Sequence, residues 1–188
     1  GADMSTLIKN GRIITAEQDY IADIFIEKEK ITTIGASLKV QTDKVIDAAG
    51  RYVMPGGVDV HTHMEMPFGG TMSSDDFETG TRAAAFGGTT CVIDFAIQAK
   101  GMKIRQALDI WRKKGEKATV DYSLHMIITD LPEAHLEDMN EMVREGVSSF
   151  KLFMAYPNVL MVDDATIFRA LRQTAQNGGL ICIHAENG

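Results

Sequence analysis

The sequence predicts an α/β fold: a small β-sheet followed by the N-terminal part of a (β/α)8 TIM-like barrel. Three observations carry this. The first 55 residues consist of short apolar runs punctuated by turns. From Gly57 onward, apolar strand-like runs begin near Gly57, Thr89, Val120, Val147 and Gly179, roughly 27–32 residues apart, about one β-plus-α unit each. Between them apolar residues recur with helical spacing, as at Ile104, Ala107, Leu108 and Trp111. Alternating β and α units with apolar strands imply a parallel sheet covered by helices.

In chain order, Leu7-Ile8-Lys9 and Ile13-Ile14 flank Asn10-Gly11, a dipeptide that predicts a hairpin between two strands. Ile24-Phe25-Ile26 and Ile31 to Ile34 follow, divided by the charged turn Glu27 to Lys30. Val45-Ile46 and Tyr52-Val53-Met54 close a small β domain over residues 1–55, and Pro55-Gly56-Gly57 marks its boundary with a second domain over residues 56–188. In that domain Leu136, Met139 and Val143, and then Ile167, Ala170, Leu171 and Thr174, repeat the helical stripe. Ser73-Ser74-Asp75 and Asp163-Asp164 read as N-caps, with Gly115, Gly146 and Gly178 just past the helix ends. No glycine-rich dinucleotide fingerprint follows a strand, since Gly87-Gly88 precedes one, and there is no P-loop. A barrel is therefore favoured over a doubly wound sheet. A full barrel takes about 250 residues. The second domain holds roughly four units and the start of a fifth strand, so the expectation is the N-terminal part of a longer protein. Gly1-Ala2-Asp3 ahead of Met4 reads as a cloning scar.

With 19 Lys and Arg against 26 Asp and Glu, the formal charge is −7, opposite to the balance of a nucleic-acid or anionic-membrane binder. No apolar run approaches the ~18 residues of a membrane helix, and the first residues lack a signal-peptide pattern. Cys91 and Cys182 lie in apolar strand-like runs and read as reduced core residues of a cytoplasmic protein.

His61-Thr62-His63 ends the first apolar strand of the second domain. Residues i and i+2 of a strand share a face, so the two imidazoles can hold one metal ion; the other reading is a pair of hydrogen-bonded structural histidines. Strand C-termini are where barrels build their active sites. His184 ends the fifth strand at the matching position and becomes a third ligand candidate. His125, mid-strand, reads as a hydrogen-bonded interior residue, and His135, near a helix start, as a solvated one. Lys151 interrupts the apolar run Ser149 to Met154. Such a lysine is costly unless its charge is removed or paired. It is either a snorkelling or salt-bridged residue, or a neutral amine that takes up carbon dioxide to become an anionic carbamate able to bridge two metals.

Pro55 to His63, then Gly87-Gly88-Thr89-Thr90 with Asp94-Phe95, then Lys151-Leu152-Phe153-Met154-Ala155-Tyr156, then His184-Ala185-Glu186-Asn187, together resemble the dihydropyrimidinase/hydantoinase family of cyclic amidohydrolases. The resemblance runs in order from Leu7 over essentially the whole chain, and the Lys151 segment is its most specific part. It implies a metal-bearing (β/α)8 barrel with a small β-sandwich, of which residues 1–55 would be the first half. It also implies that His61 and His63 bind the more buried of two divalent ions, zinc, that carboxylated Lys151 bridges both, and that His184 binds the second. Tyr156 would contact substrate and help hold the oxyanion. A further histidine and the proton-shuttling aspartate of the family would come from later strands. The implied reaction opens a dihydropyrimidine or 5-substituted hydantoin to an N-carbamoyl amino acid, and the implied assembly is a homotetramer.

Dihydroorotases are similar but carry an arginine two residues after the second histidine, where this chain has Glu65. Met64, Met66, Pro67 and Phe68, with Phe153 and Leu160, either wall a pocket for an uncharged ring or are ordinary loop packing. Two alternatives remain open. One is an allantoinase-like enzyme. The other is a non-catalytic scaffold resembling the collapsin response mediator proteins, which the joint presence of His61, His63, Lys151 and His184 disfavours.

Overall fold

The computed structural model describes residues 4–188; Gly1-Ala2-Asp3 lie outside the described residues. The chain divides into two compact units, residues 1–55 and 56–188.

In the first unit, β1 (Thr6–Ile14), β2 (Asp19–Glu27), β3 (Lys30–Gly35), β4 (Lys44–Asp47) and β5 (Tyr52–Val53) form one five-stranded sheet. β1 pairs antiparallel with β2, which pairs antiparallel with β3, and β1 runs parallel to both β4 and β5. Ile13, Ala22 and Ile24 are its buried centre, joined by Ile8, Ile26 and Val53.

The hairpin expected at Asn10-Gly11 is absent. β1 runs straight through both residues, and the register against β2 shifts between Ile8 and Gly11, which makes the dipeptide a β-bulge. Tertiary partners hold it there. Asn10 adopts a φ of 56°. Its backbone N–H donates to the buried Asp23 carboxylate at 2.9 Å, and its side-chain amide donates to Asp47 Oδ1 at 3.0 Å. Gly11 lies against Val53, where a Cβ would come within 2.8 Å of Val53 Cγ2. The chain instead reverses at Thr15–Gln18, closed by a 2.9 Å bond from the Thr15 N–H to the Gln18 carbonyl, and at Lys28-Glu29. Lys28 and Glu29 have φ of 49° and 62°, the two positive values that a type I′ hairpin requires.

In the second unit, β6 (Gly57–Thr62) is followed by a small antiparallel hairpin, β7 (Pro67–Phe68) and β8 (Thr71–Met72), and then by α1 (Phe77–Phe86). Next come β9 (Thr89–Ile97), α2 (Ile104–Gly115), β10 (Asp121–Ile127), α3 (Leu136–Arg144), β11 (Ser149–Phe153), α4 (Asp164–Asn177) and β12 (Leu180–His184). The large sheet is parallel throughout, with neighbours β6-β9-β10-β11-β12 in chain order. A doubly wound sheet would reverse its order at a switch point; this one advances steadily, as a barrel wall does. Alternate residues Val92 and Ala96, Leu124 and Met126, and Phe150 and Leu152 pack under Ile104, Leu108, Met139, Met142 and Ala170 of the helices in one buried core.

The punctuation differs in detail from the expectation. α1 is capped by Asp76, one residue beyond Ser73-Ser74-Asp75, because those residues serve the preceding turn. Ser73 Oγ accepts the Met66 N–H at 2.7 Å, and the Asp75 carbonyl accepts the Glu65 N–H at 2.9 Å. Asp163 caps α4 by accepting the Thr166 N–H at 2.8 Å, and Gly178 ends it with a φ of 78°. Gly115 is the last residue of α2, not one beyond it, and is buried under the Tyr122 ring. Cys91 and Cys182 are free thiols but only half-buried. Their neighbours Val92, Ile181 and Ile183 take the helix-facing core, so both cysteines point to the opposite face of the sheet.

Candidate active site

The face of the sheet turned away from the helices carries His125, Lys151 and His184. In-register pairs put Phe95 beside His125, Ile127 beside Lys151, Lys151 beside Cys182, and Phe153 beside His184. At the C-terminal ends of these strands, His61, His63, Lys151, Tyr156 and His184 line one cavity of about 530 Å³. Its walls are otherwise mostly apolar: Met66, Phe68, Met72, Phe95, Phe153 and Leu160, with Thr71 and Ser73 at the β7–β8 hairpin.

His61 in β6 and His63 just beyond its end are tightly placed. Their Nε2 atoms are 3.2 Å apart. Both rings lie on Phe95, with centroid distances of 4.7 Å for His61 and 4.8 Å for His63, the latter stacked. Partial burial, and then the neighbouring His61, hold the His63 imidazole below its ordinary pKa. His125 touches the other side of this arrangement, 4.7 Å from Phe95. Its Nε2 donates to the Val60 carbonyl at 2.8 Å, which leaves Nδ1 to accept from Ser149 Oγ at 2.5 Å. His125 is thus a hydrogen-bonded interior residue tying β10 to β6 and β11. His135 is half-buried at the start of α3, not fully solvated, because a short 3-10 turn leads into that helix.

On the other flank, Lys151 is half-buried with its Nζ 5.2 Å from the Phe153 ring centroid. Among the described residues no carboxylate lies within ion-pair distance of it. His184 stacks on Phe153 at 5.3 Å, and its Nε2 is 3.1 Å from Glu186 Oε2. Tyr156 takes a left-handed φ of 62°, and its carbonyl accepts the N–H groups of Val159, Leu160 and Met161, each at 3.1 Å. That tight turn leaves the phenol ring 5.4 Å from His184 and 6.0 Å from Phe68.

The loop after His63 is sorted between cavity and core. Met66 and Phe68 line the cavity, whereas Pro67 lines a neighbouring one. Met64 is not a pocket wall. It is buried in the helix-side core against Gly80, because it follows the helix-facing Thr62 at a two-residue step. Glu65 also turns away from the cavity. Its carbonyl accepts from Lys114 Nζ at 2.9 Å and its carboxylate meets Lys117 Nζ at 3.1 Å. Sequence reasoning gave Phe95 and Asp94 no role. The available signal was an acidic residue inside the apolar run of β9, beside an aromatic at the strand's C-terminal half.

The donor set suits a divalent metal in part. Two nitrogens each bound at about 2.0–2.1 Å to a tetrahedral ion stand about 3.3 Å apart, close to the spacing of His61 and His63. Among the described residues, however, no three His, Cys, Asp or Glu side chains gather closely enough to hold an ion by themselves. Lys151 lines the same cavity, and its amine would become an anionic oxygen donor only after carboxylation.

Residues 52–188 match the amidohydrolase family, and the chain belongs to that family of metal-dependent enzymes. It is 51% identical to a D-hydantoinase of Streptomyces coelicolor over 97% of this chain and 40% of the relative, and 48% identical to a D-hydantoinase of Geobacillus stearothermophilus over 98% and 40%. The crystal structure of dihydropyrimidinase from Brevibacillus agri superposes with a TM-score of 0.94 at 47% identity, covering 98% of this chain and 41% of that one. The chain thus spans about 40% of the length of the curated relatives it matches. No helix is long and apolar enough to cross a membrane among the described residues.

Proposed function

We propose that the protein hydrolyses the cyclic amide bond of dihydropyrimidines or 5-substituted hydantoins, releasing an N-carbamoyl amino acid. One observation carries the reading: a single apolar-walled cavity brings His61, His63, Lys151, Tyr156 and His184 together at the C-terminal ends of parallel strands. Similarity to hydantoinases and dihydropyrimidinases supports the choice of ring.

In this reading His61, His63, His184 and Lys151, the last as a carbamate, would hold divalent metal, zinc. The amine adds to carbon dioxide, forming an N–C bond and releasing a proton. Lys151 has a setting for this beside the Phe153 ring, with no ionic partner among the described residues. Bound ions supply the acidified water and Lewis acidity that amide hydrolysis needs at neutral pH. The chain's own residues do the rest. Tyr156 presents its phenol O–H to the carbonyl oxygen that becomes negative as the tetrahedral carbon forms. Met66, Phe68, Phe153 and Leu160 take the uncharged ring and its substituent and keep bulk water off the scissile bond.

The test is incubation of the protein at natural full length, loaded with zinc, with dihydrouracil, hydantoin and allantoin, following ureido product. Opening of the first two is expected. Turnover of allantoin alone would move the assignment to an allantoinase, and no turnover of any ring by protein of verified metal content would overturn the reading.

A further inference from the structure

We propose that Asp94, acting with Thr62, is the residue that positions the His61–His63 pair. It does so from the helix-facing side of the sheet, without touching substrate. The inference rests on the reading of these histidines as metal ligands.

The need for such a residue comes from the ladder. Asp59 pairs with Val92, and the next pair is Thr62 with Asp94, so three steps on β6 answer two on β9. Such a bulge re-aims side chains and removes regular ladder bonds where it falls. It falls across His61. Beyond the single pair Thr62–Asp94, something other than the ladder must then hold the strand end.

Asp94 does this with one buried carboxylate, 1% exposed. Its Oδ2 accepts from Thr62 Oγ1 at 2.8 Å and from the Met64 N–H at 2.8 Å, which fixes the backbone on both sides of His63. Its Oδ1 accepts the Phe95 N–H at 2.8 Å. The Phe95 ring is the platform on which both imidazoles rest. One side chain therefore sets both the segment that carries the rings and the surface they lie on. Two of its three partners are backbone N–H groups, which can only donate. An asparagine, isosteric but with a donor at one of its two positions, must lose at least one of them. Carboxylates that orient ligands from behind influence metal affinity by about ten- to a hundredfold.

The alternative is that Asp94 only staples β6 to β9. Three variants separate the two: Asp94→Asn, Thr62→Val, which removes one hydrogen bond while sparing the carboxylate, and Thr62→Ser, which keeps the hydroxyl. Two readouts apply to each: the imidazole nitrogen-15 shifts of His61 and His63 in metal-free protein, and the affinity for cobalt(II) alone. In the unsubstituted protein, one facing nitrogen should be protonated and the other bare. Asp94→Asn and Thr62→Val should move both towards solvent-averaged values and weaken cobalt(II) binding about ten- to a hundredfold, with Thr62→Ser unchanged. Folded Asp94→Asn and Thr62→Val proteins that keep both the shifts and the affinity overturn the proposal. If Asp94→Asn does not fold, the Thr62 pair decides. If the unsubstituted protein takes up no cobalt(II), the functional reading fails while the nitrogen shifts still decide the positioning.

Discussion

On the β6 flank of the cavity, His61 and His63 are fixed from every side: by Phe95 beneath the rings, by Asp94 behind the backbone, and by His125 on the Val60 carbonyl. Farther along, the Glu65 turn is held by Lys114 and Lys117 of the segment ending α2. On the β11–β12 flank, Lys151 has an aromatic neighbour and, among the described residues, no counter-charge. Among the described residues the His184 ring bonds only to the exposed Glu186, and Tyr156 sits on a left-handed turn. The first flank is preorganised by the polypeptide. The second has its side chains in place but its charges unbalanced, and under the proposed function incoming metal and carbon dioxide complete it. Preorganised donors act without reorganisation when a ligand arrives, whereas a lysine beside cations is favourable only once its own sign is reversed.

Substitutions on the two flanks should therefore fail in different ways. The largest effect is expected at Lys151→Ala: loss of two-metal binding and of turnover, with no fall in the melting temperature of the metal-free protein and partial rescue by a small added carboxylic acid. Metal content, activity and calorimetry on the full-length protein measure this. A variant that keeps two metals and normal turnover without added acid would make Lys151 a structural lysine and erase the contrast. Asp94→Ala should fail through stability, by about 3 kcal/mol in urea unfolding, because it strands the buried Met64 and Phe95 N–H groups. Tyr156→Phe should lower kcat about a hundredfold with little change in KM, the signature of a donor used only in the transition state.

The smallest effect sharpens the β6 flank. Asp76 accepts the Thr79 N–H as the cap of α1 and meets Lys117, and these two contacts, the cap first, hold its carboxyl below the usual range. A depressed carboxylate contributes stability that is fully present above its unfolded pKa and is lost as pH falls through the folded one. Asp76→Ala should thus lower the melting temperature by about 2–4 °C near neutral pH. The difference should begin to shrink only as pH falls below about 4, the unfolded value, and go to completion below the still lower folded one. A gap that persists unchanged in acid would show that the carboxylate's charge is not what matters there.

The sequence by itself determined the order of elements and the address of the site. Strand and helix periods, the His61-Thr62-His63 spacing and the lysine set in an apolar run are local patterns, and local patterns survive without knowledge of partners. They placed five strands within two residues of their observed starts and put His61, Lys151 and His184 at the same end of the sheet. Tertiary structure decided what depends on residues distant in the chain. Asn10-Gly11 became a bulge because Asp23, Asp47 and Val53 claim it, while the charged turn Glu27 to Lys30 formed its hairpin where the sequence put it. Met64 went to the core and Met66 to the cavity. Asp94 reached across thirty-odd residues to grip the histidine turn. A buried carboxylate or an open N–H takes whichever partner the fold brings within reach, and that choice belongs to the packed sheet rather than to any stretch of its sequence.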